Sequence, residues 1–227
     1  MKNLFCCIIL AFWAGPVFAQ FHIGLSTGTN LSFWTWEIKS LNTNIDYEAA
    51  MGWRATVLAE YKVSPAFSAR IEAGTQLKAN KITKNLVFES DILAGDYGGT
   101  PWVFREKYQF WEASALVQIA PIKKYRQAYL LAGCTAGKLQ KGWKTAKGSE
   151  AGMKFSSKDS IDFSDPNWNR NAFAADFGVG GNFPLGANSL IKVEARFQYS
   201  LSNLSNSDNV NASVNPLILN IGYMHRL

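Results

Sequence analysis

From residue 51 to 63 the chain alternates. Met51, Trp53, Ala55, Val57, Ala59, Tyr61 and Val63 share one parity, and Gly52, Arg54, Thr56, Leu58, Glu60 and Lys62 share the other, where only Leu58 is strongly apolar. Residues 67–79 repeat the pattern. Phe67, Ala69, Ile71, Ala73, Leu77 and Ala79, interrupted only by Thr75, oppose Ser68, Arg70, Glu72, Gly74, Gln76 and Lys78. In 191–201, Ile191, Val193, Ala195, Phe197, Tyr199 and Leu201 oppose Lys192, Glu194, Arg196, Gln198 and Ser200. A period of two predicts β-strands with two chemically different faces. At 11–13 residues these runs exceed the ~5–6 usual in soluble sheets and match the ~9–11 tilted residues that cross a hydrocarbon layer.

Weaker alternation at 21–30, 108–120, 172–183 and 217–227, with an apolar strand at 127–138 whose faces stay unassigned, brings the expected count to eight strands. The links 64–66, 121–126 and 184–188 are short and turn-rich, whereas 35–49, 80–107, 140–170 and 203–213 are long and polar. Short turns at one end and long loops at the other predict an all-β, eight-stranded antiparallel up-and-down transmembrane β-barrel.

Alternation alone leaves open which face looks inward. Three features favour charge inside. Charges of both signs lie close together on the polar faces, as in Arg70 with Glu72 and in Lys192, Glu194 and Arg196. Small residues crowd those faces, at Gly24, Ser26, Gly28, Gly74, Ser114, Gly178 and Gly180, and eight strands leave a lumen that side chains can fill. Aromatics gather near strand ends: Trp34, Trp36, Trp53, Trp111, Phe173 and Tyr199 toward the long loops, and Phe21, Tyr61, Phe67, Phe183 and Tyr223 at the other end. Two such belts fit the two interfaces of a bilayer. An Arg on the lipid face near the midplane would cost about 2–4 kcal/mol, and no proposed lipid face carries a formal charge. The competing reading is a soluble periplasmic ligand-binding barrel with the faces reversed.

Lys2, an apolar stretch over 4–13 and Val17-Phe18-Ala19 read as a secretory signal peptide spanning 1–19, with residues 20–227 as a single barrel domain. The address then expected is the outer membrane. Only Cys134 of the three cysteines lies beyond that segment, so no disulfide framework is expected. The net charge of +6 comes from 23 basic and 17 acidic residues mixed along the chain; no nucleic-acid partner is expected.

The chemistry legible in the residues is sparse. Nucleophilic catalysis needs a base beside the nucleophile, and the two histidines, His22 and His225, have opposite parity on the first and last strands. A lone thiol needs a basic neighbour to react, so Cys134 reads as a small buried or lipid-facing residue. Arg54, Arg70, Glu72, Glu112, Asp176, Glu194 and Arg196 read as an inward polar network. A paired-carboxylate hydrolase would use such groups, but cations accompany these carboxylates. No catalytic, cofactor-binding or metal-binding residues are assigned, and no enzyme activity is expected. Loops on a rigid scaffold commonly carry binding residues. Lys141, Lys144 and Lys147, with Trp168, are the candidate loop-binding set, and lipopolysaccharide phosphates are a fitting ligand. Phe88, Ile92, Tyr97, Trp102 and Phe104 either extend a hairpin above the membrane or meet a partner.

Several short motifs carry a family resemblance: Ile23-Gly24-Leu25 with Gly28-Thr29-Asn30, Phe110-Trp111-Glu112-Ala113, Tyr129-Leu130-Leu131-Ala132-Gly133, Asp176-Phe177-Gly178-Val179-Gly180-Gly181, Val193-Glu194-Ala195-Arg196-Phe197 and Leu219-Asn220-Ile221-Gly222-Tyr223. In these the chain resembles the PorT-like outer-membrane β-barrel family. It departs from the family at Ser114, where a proline is usual, and at its end, His225-Arg226-Leu227, where barrels usually close on an aromatic. The resemblance implies the fold, the outer-membrane location and handling by the barrel-insertion machinery. It implies no reaction. The expected role is a monomeric, non-enzymatic barrel embedded in outer-membrane lipid, whose long loops meet an envelope partner. An accessory role in a secretion or gliding apparatus is the alternative by analogy.

Overall fold

The computed structural model describes residues 20–41, 43–86, 100–121, 127–150 and 153–227. The expected signal segment, most of the 121–126 link, and Phe88, Ile92 and Tyr97 lie outside the described residues. The strands are β1 (Gln20–Ile38), β2 (Thr43–Asp46), β3 (Glu48–Ser64), β4 (Phe67–Leu86), β5 (Thr100–Ile119), β6 (Ala128–Glu150), β7 (Met153–Ser160), β8 (Asn171–Pro184), β9 (Ser189–Ser200) and β10 (Val210–Arg226).

All pairings are antiparallel, and β10 pairs with β1 from His22↔Arg226 to Ile38↔Val210. That last pairing closes the sheet, so the membrane-spanning part has no free edge and every rung can be satisfied within the chain. Ten strands occupy eight places in the ring. β2 lies on the same edge of β1 as β3 and continues it beyond Tyr47. β7 likewise lies on the same edge of β6 as β8, higher up. The turn at 65–66 follows Ser64, whose Oγ accepts the amides of Ala66 and Phe67. The turn at 185–188 places Gly186 at φ +133°, a conformation that side-chain-bearing residues rarely adopt.

Three segments expected as polar loops are mostly strand; in 35–49, β1 runs on to Ile38 and pairs with β2. β4 and β5 pair from Phe67↔Ile119 to Leu86↔Thr100, and β6 with β7 pairs up to Glu150↔Met153. The four strands rise together as a wall on one side of the barrel. Lateral pairing supports the wall in water, and so does a ladder of Trp102 stacked between Phe104 and Phe155, each 6.3 Å centroid to centroid. Their polarity concealed them, because a strand outside the bilayer needs no greasy face.

The faces are inside-out relative to a soluble protein. Val57 is 56% and Ile71 64% exposed, whereas Arg70 is 2% and Glu194 6%. This contradicts the reversed, soluble arrangement. Outward-facing Trp53, Trp111, Phe173 and Tyr199 toward the loops, and Phe21, Phe67, Phe183 and Tyr223 toward the turns, bound the apolar band. Trp34 and Trp36 do not belong to the belt. They share the parity of His22 and Asn30, and Trp34 is buried inside against Tyr108 at 4.7 Å. Apolar side chains therefore also occur in the lumen, where they form a layer toward each end and a third cluster on the β5–β6 side. Leu58, Leu190 and Met224 pack near the turn end, Trp34, Tyr108, Phe110, Leu139, Leu204, Ala212 and Val214 form a larger cluster at the loop end, and Leu116, Tyr129 and Leu131 pack together between β5 and β6.

Candidate functional site

Between those layers the lumen is ionic. Among the described residues, five basic side chains (Arg54, Arg70, Lys78, Lys192, Arg196) and five acidic ones (Glu60, Glu72, Glu112, Asp176, Glu194) are buried in it. Equal numbers matter here. An ion taken from water costs several kcal/mol unless a partner and hydrogen bonds answer it.

At the centre, β4 supplies Arg70-Ile71-Glu72 and β9 supplies Glu194-Ala195-Arg196, with alternation turning both charged pairs inward. In the eight-membered ring β4 and β9 stand four places apart in either direction, directly opposite each other. Arg70 donates through both terminal nitrogens to the two oxygens of Glu194, Nη2 to Oε2 at 2.9 Å. Arg196 donates to both oxygens of Glu72, each at 3.0 Å. Two fork-to-fork pairs thus cross the full width of the lumen in opposite senses, the strongest geometry available to an ion pair. Arg70 Nε lies 2.9 Å from Glu72, and Arg196 donates to Glu194 at 3.1 Å. Arg54 on β3 donates to Glu72 at 3.0 Å, and the Tyr129 hydroxyl on β6 donates to Glu194 at 2.5 Å. Gly180 opposite Tyr129 makes room for its ring: a Cβ there would sit 2.5 Å from it.

The remaining charges lie above and below this clasp. Toward the turns, Lys192 pairs with Glu60, and Gln118 bridges them at 3.0 and 2.9 Å. Toward the loops, Lys78 pairs with Glu112 at 2.9 Å and sits 4.8 Å from the centre of the Phe110 ring. Asp176 accepts the Thr135 hydroxyl at 2.5 Å and lies 3.9 Å from Arg196. All seven residues singled out from the sequence are therefore inside. Six gather at or beside the clasp, and Glu112 belongs to a separate pair with Lys78.

Sequence reasoning left out Glu60, Lys78 and Lys192, although all three lie on the polar parity. It also left out Tyr129, which needed the face of its strand. That face resolves with Tyr129, Leu131, Thr135 and Leu139 inward and Leu130, Cys134 and Ala136 outward.

The loop-binding candidates separate. A bulge at Gln140 reverses the parity of β6 beyond Leu139, so Lys141 and Lys147 project from its outward face. Lys144 has the opposite parity, in register with Glu106 and Asp159. Trp168 is not a free loop aromatic. The segment 161–170 folds over the mouth, held by Leu139 N–H to Arg170 O at 2.7 Å and Asn169 N–H to Leu204 O at 2.9 Å. It sets Trp168 edge-on to Phe163 at 5.1 Å and 6.0 Å from Tyr108. The apolar lumen cluster recruits these rings, so the segment covers the mouth with Trp168 half-buried. His22 is buried inside, while His225 is exposed and lies 3.2 Å from the Ser189 hydroxyl, so the two do not share a face.

On the outer flank of the wall, a groove of about 600 Å³ is lined by Arg105, Lys107, Lys147 and Lys158 above Trp53 and Leu77. At its edge, outside the bilayer band, the Lys81 ammonium and the Thr83 hydroxyl hold the Glu48 carboxyl below its ordinary value.

No family model and no curated protein matches the chain. Among solved structures it is similar to Neisserial surface protein A, at 13% identity over 92% of this chain and 99% of that one, TM-score 0.40. It is also similar to the outer membrane protein OprG from Pseudomonas aeruginosa, at 8% identity over 92% and 96%, TM-score 0.47. A third is the outer membrane protein AlkL, at 15% over 94% and 92%, TM-score 0.44. At that distance these neighbours say nothing of what this chain binds.

Proposed function

We propose that the chain is a non-conducting, non-enzymatic outer-membrane β-barrel that acts as a rigid scaffold. Its barrel fixes the wall of β4–β7 above the bilayer, where it meets an envelope or extracellular partner. The observation that carries this reading is the balanced set of buried charges, clasped across the lumen, inside a band of exposed apolar side chains. The clasp fills the bore, and the lid of 161–170 with its aromatic cluster covers the loop end. The carboxylates are engaged by cations in a closed space, which favours a structural role for them over hydrolysis. The PorT-like motifs support the same location and add no reaction.

The test is fractionation followed by reconstitution. The protein should remain with outer-membrane vesicles after alkaline extraction, run as a heat-modifiable band on unboiled gels, and pass no current in planar bilayers. Recovery in the soluble periplasmic fraction, or stepwise conductance from purified protein, would overturn the reading.

A further inference from the structure

The basic residues of the lumen are each answered by an acid; on the outer flank of the wall, those of β5, β6 and β7 are not. On β5, β6 and β7 the outward positions above the aromatic belt include Arg105, Lys107, Lys141, Lys147, Lys154 and Lys158, and no Asp or Glu among the described residues. The register Arg105↔Thr145↔Lys158, beside Val103↔Lys147 and Lys107↔Trp143, brings four of these cations around one groove. The nearest outward acid, Glu48 on β3, is taken by Lys81 and Thr83. Glu106 points the other way and is engaged by Tyr108 at 2.7 Å and Asn80 at 3.1 Å.

Trp53, Leu77 and Trp143 line the lower part of the groove, with Gln109 beside Leu77. One step down in register, Ala55↔Thr75↔Trp111 opens onto a trough of about 880 Å³ walled by Ala55, Val57, Ala73 and Trp111. Cations at the height of the bilayer interface, one register step above an open apolar face, match a ligand with an anionic head and a hydrocarbon tail. A soluble anion would use only the upper half. Clustered cations suit a multiply charged phosphate better than a single carboxylate, and basic side chains beside a membrane act at short range on anionic headgroups.

We infer that this flank is a binding site for a phosphorylated lipid of the outer leaflet, with its phosphate held by Arg105, Lys107, Lys147 and Lys158 and an acyl chain in the trough below. The inference rests on the bilayer-embedded reading above, and its test begins only with protein already inserted.

The probe is diphosphorylated lipid A in nanodiscs of zwitterionic lipid, with dephosphorylated lipid A and inorganic phosphate as separate arms, read as lipid retained on the full-length protein. The variant Arg105→Gln/Lys107→Gln/Lys147→Gln/Lys158→Gln is compared with Lys144→Gln, a change on the opposite face of β6. The wild type and Lys144→Gln should retain the diphosphorylated lipid alike, and the fourfold variant about tenfold less or lower. Should the fourfold variant lack the heat-modifiable band, Arg105→Gln/Lys158→Gln carries the same comparison with a loss of about threefold. Equal retention by the outward variants, or equal retention of dephosphorylated lipid, would overturn the site. Displacement of the lipid by an equal concentration of inorganic phosphate would overturn the lipid as its source. Failure of the wild type to enter nanodiscs would instead refute the embedded reading and is seen before any ligand is added.

Discussion

The lumen and the outer flank of the wall both concentrate arginine and lysine, and the two sets are solved in opposite ways. Inside, five cations face five anions and form a clasp between opposite strands. Outside, Arg105, Lys107, Lys147 and Lys158 converge with no acid among the described outward positions of β5, β6 and β7, and Glu48 on β3 is held by Lys81. Burial explains the difference. In a closed lumen an unanswered charge would cost several kcal/mol, so each cation there needs an acid. In water an unanswered charge costs little and stays available to a ligand. The pairing of a basic residue, more than its type, separates scaffold from site in this molecule.

Removing one acid from the clasp should have the largest effect. Glu72→Ala leaves Arg54, Arg70 and Arg196 short of a partner and should cost about 3–5 kcal/mol of stability, read from the urea midpoint in vesicles. A change no larger than that of a surface lysine would mean the clasp is not dry. Next comes the neighbouring outward position: Ile71→Arg puts a cation toward acyl chains and should cost about 2–4 kcal/mol in the same assay. Arg70→Glu with Glu194→Arg keeps the pair and reverses its sense. It should recover part of the loss seen in either single change, with a coupling of about 0.5–3 kcal/mol. Lys147→Gln on the flank should stay within about 0.5 kcal/mol of wild type while lowering lipid retention.

The smallest effect is pH-dependent. The folded pKa of Glu48 is depressed by Lys81 and Thr83, so its contribution is present above the unfolded value of 4.5. That contribution is lost as pH falls through the lower folded value. The melting difference between wild type and Glu48→Gln should therefore shrink as pH falls below 4.5 and vanish once the folded carboxyl is protonated, and a difference that grows on acidification would contradict the pairing.

The strands and the sense of their faces were legible because a chain crossing lipid must keep every charge on one parity. Leu58, the single strongly apolar exception on the polar face of 51–63, already signalled that the lumen is not wholly ionic. It packs against Leu190 and Met224. Elsewhere the signal ran out. Leu130 and Leu131 are both apolar, so alternation could not show that Tyr129 reaches Glu194. Trp34 and Trp36 read as belt residues by their height, although parity with His22 places them inside. The wall strands carry no greasy face for lipid, so 80–86, 100–107 and 141–160 read as loops. Nothing local in 161–170 says that its rings fold into the mouth, because the cluster that receives Trp168 is assembled from β1, β5, β6 and β10. The opposition of Arg70-x-Glu72 and Glu194-x-Arg196 is visible as two mirrored motifs, yet only the ring order makes them partners.

The central claim is that the apolar parity meets acyl chains while the ionic parity is sealed away. Cys134 offers a direct test, being the one cysteine among the described residues and exposed on the outer face of β6. A nitroxide placed on it, with the protein then inserted into bilayers, reports collisions with lipid-soluble oxygen and with a water-soluble nickel chelate. Frequent collisions with oxygen and few with the chelate are predicted. Chelate access equal to that of a nitroxide at Ser156→Cys on the wall, in a Cys134→Ser background, would contradict the claim.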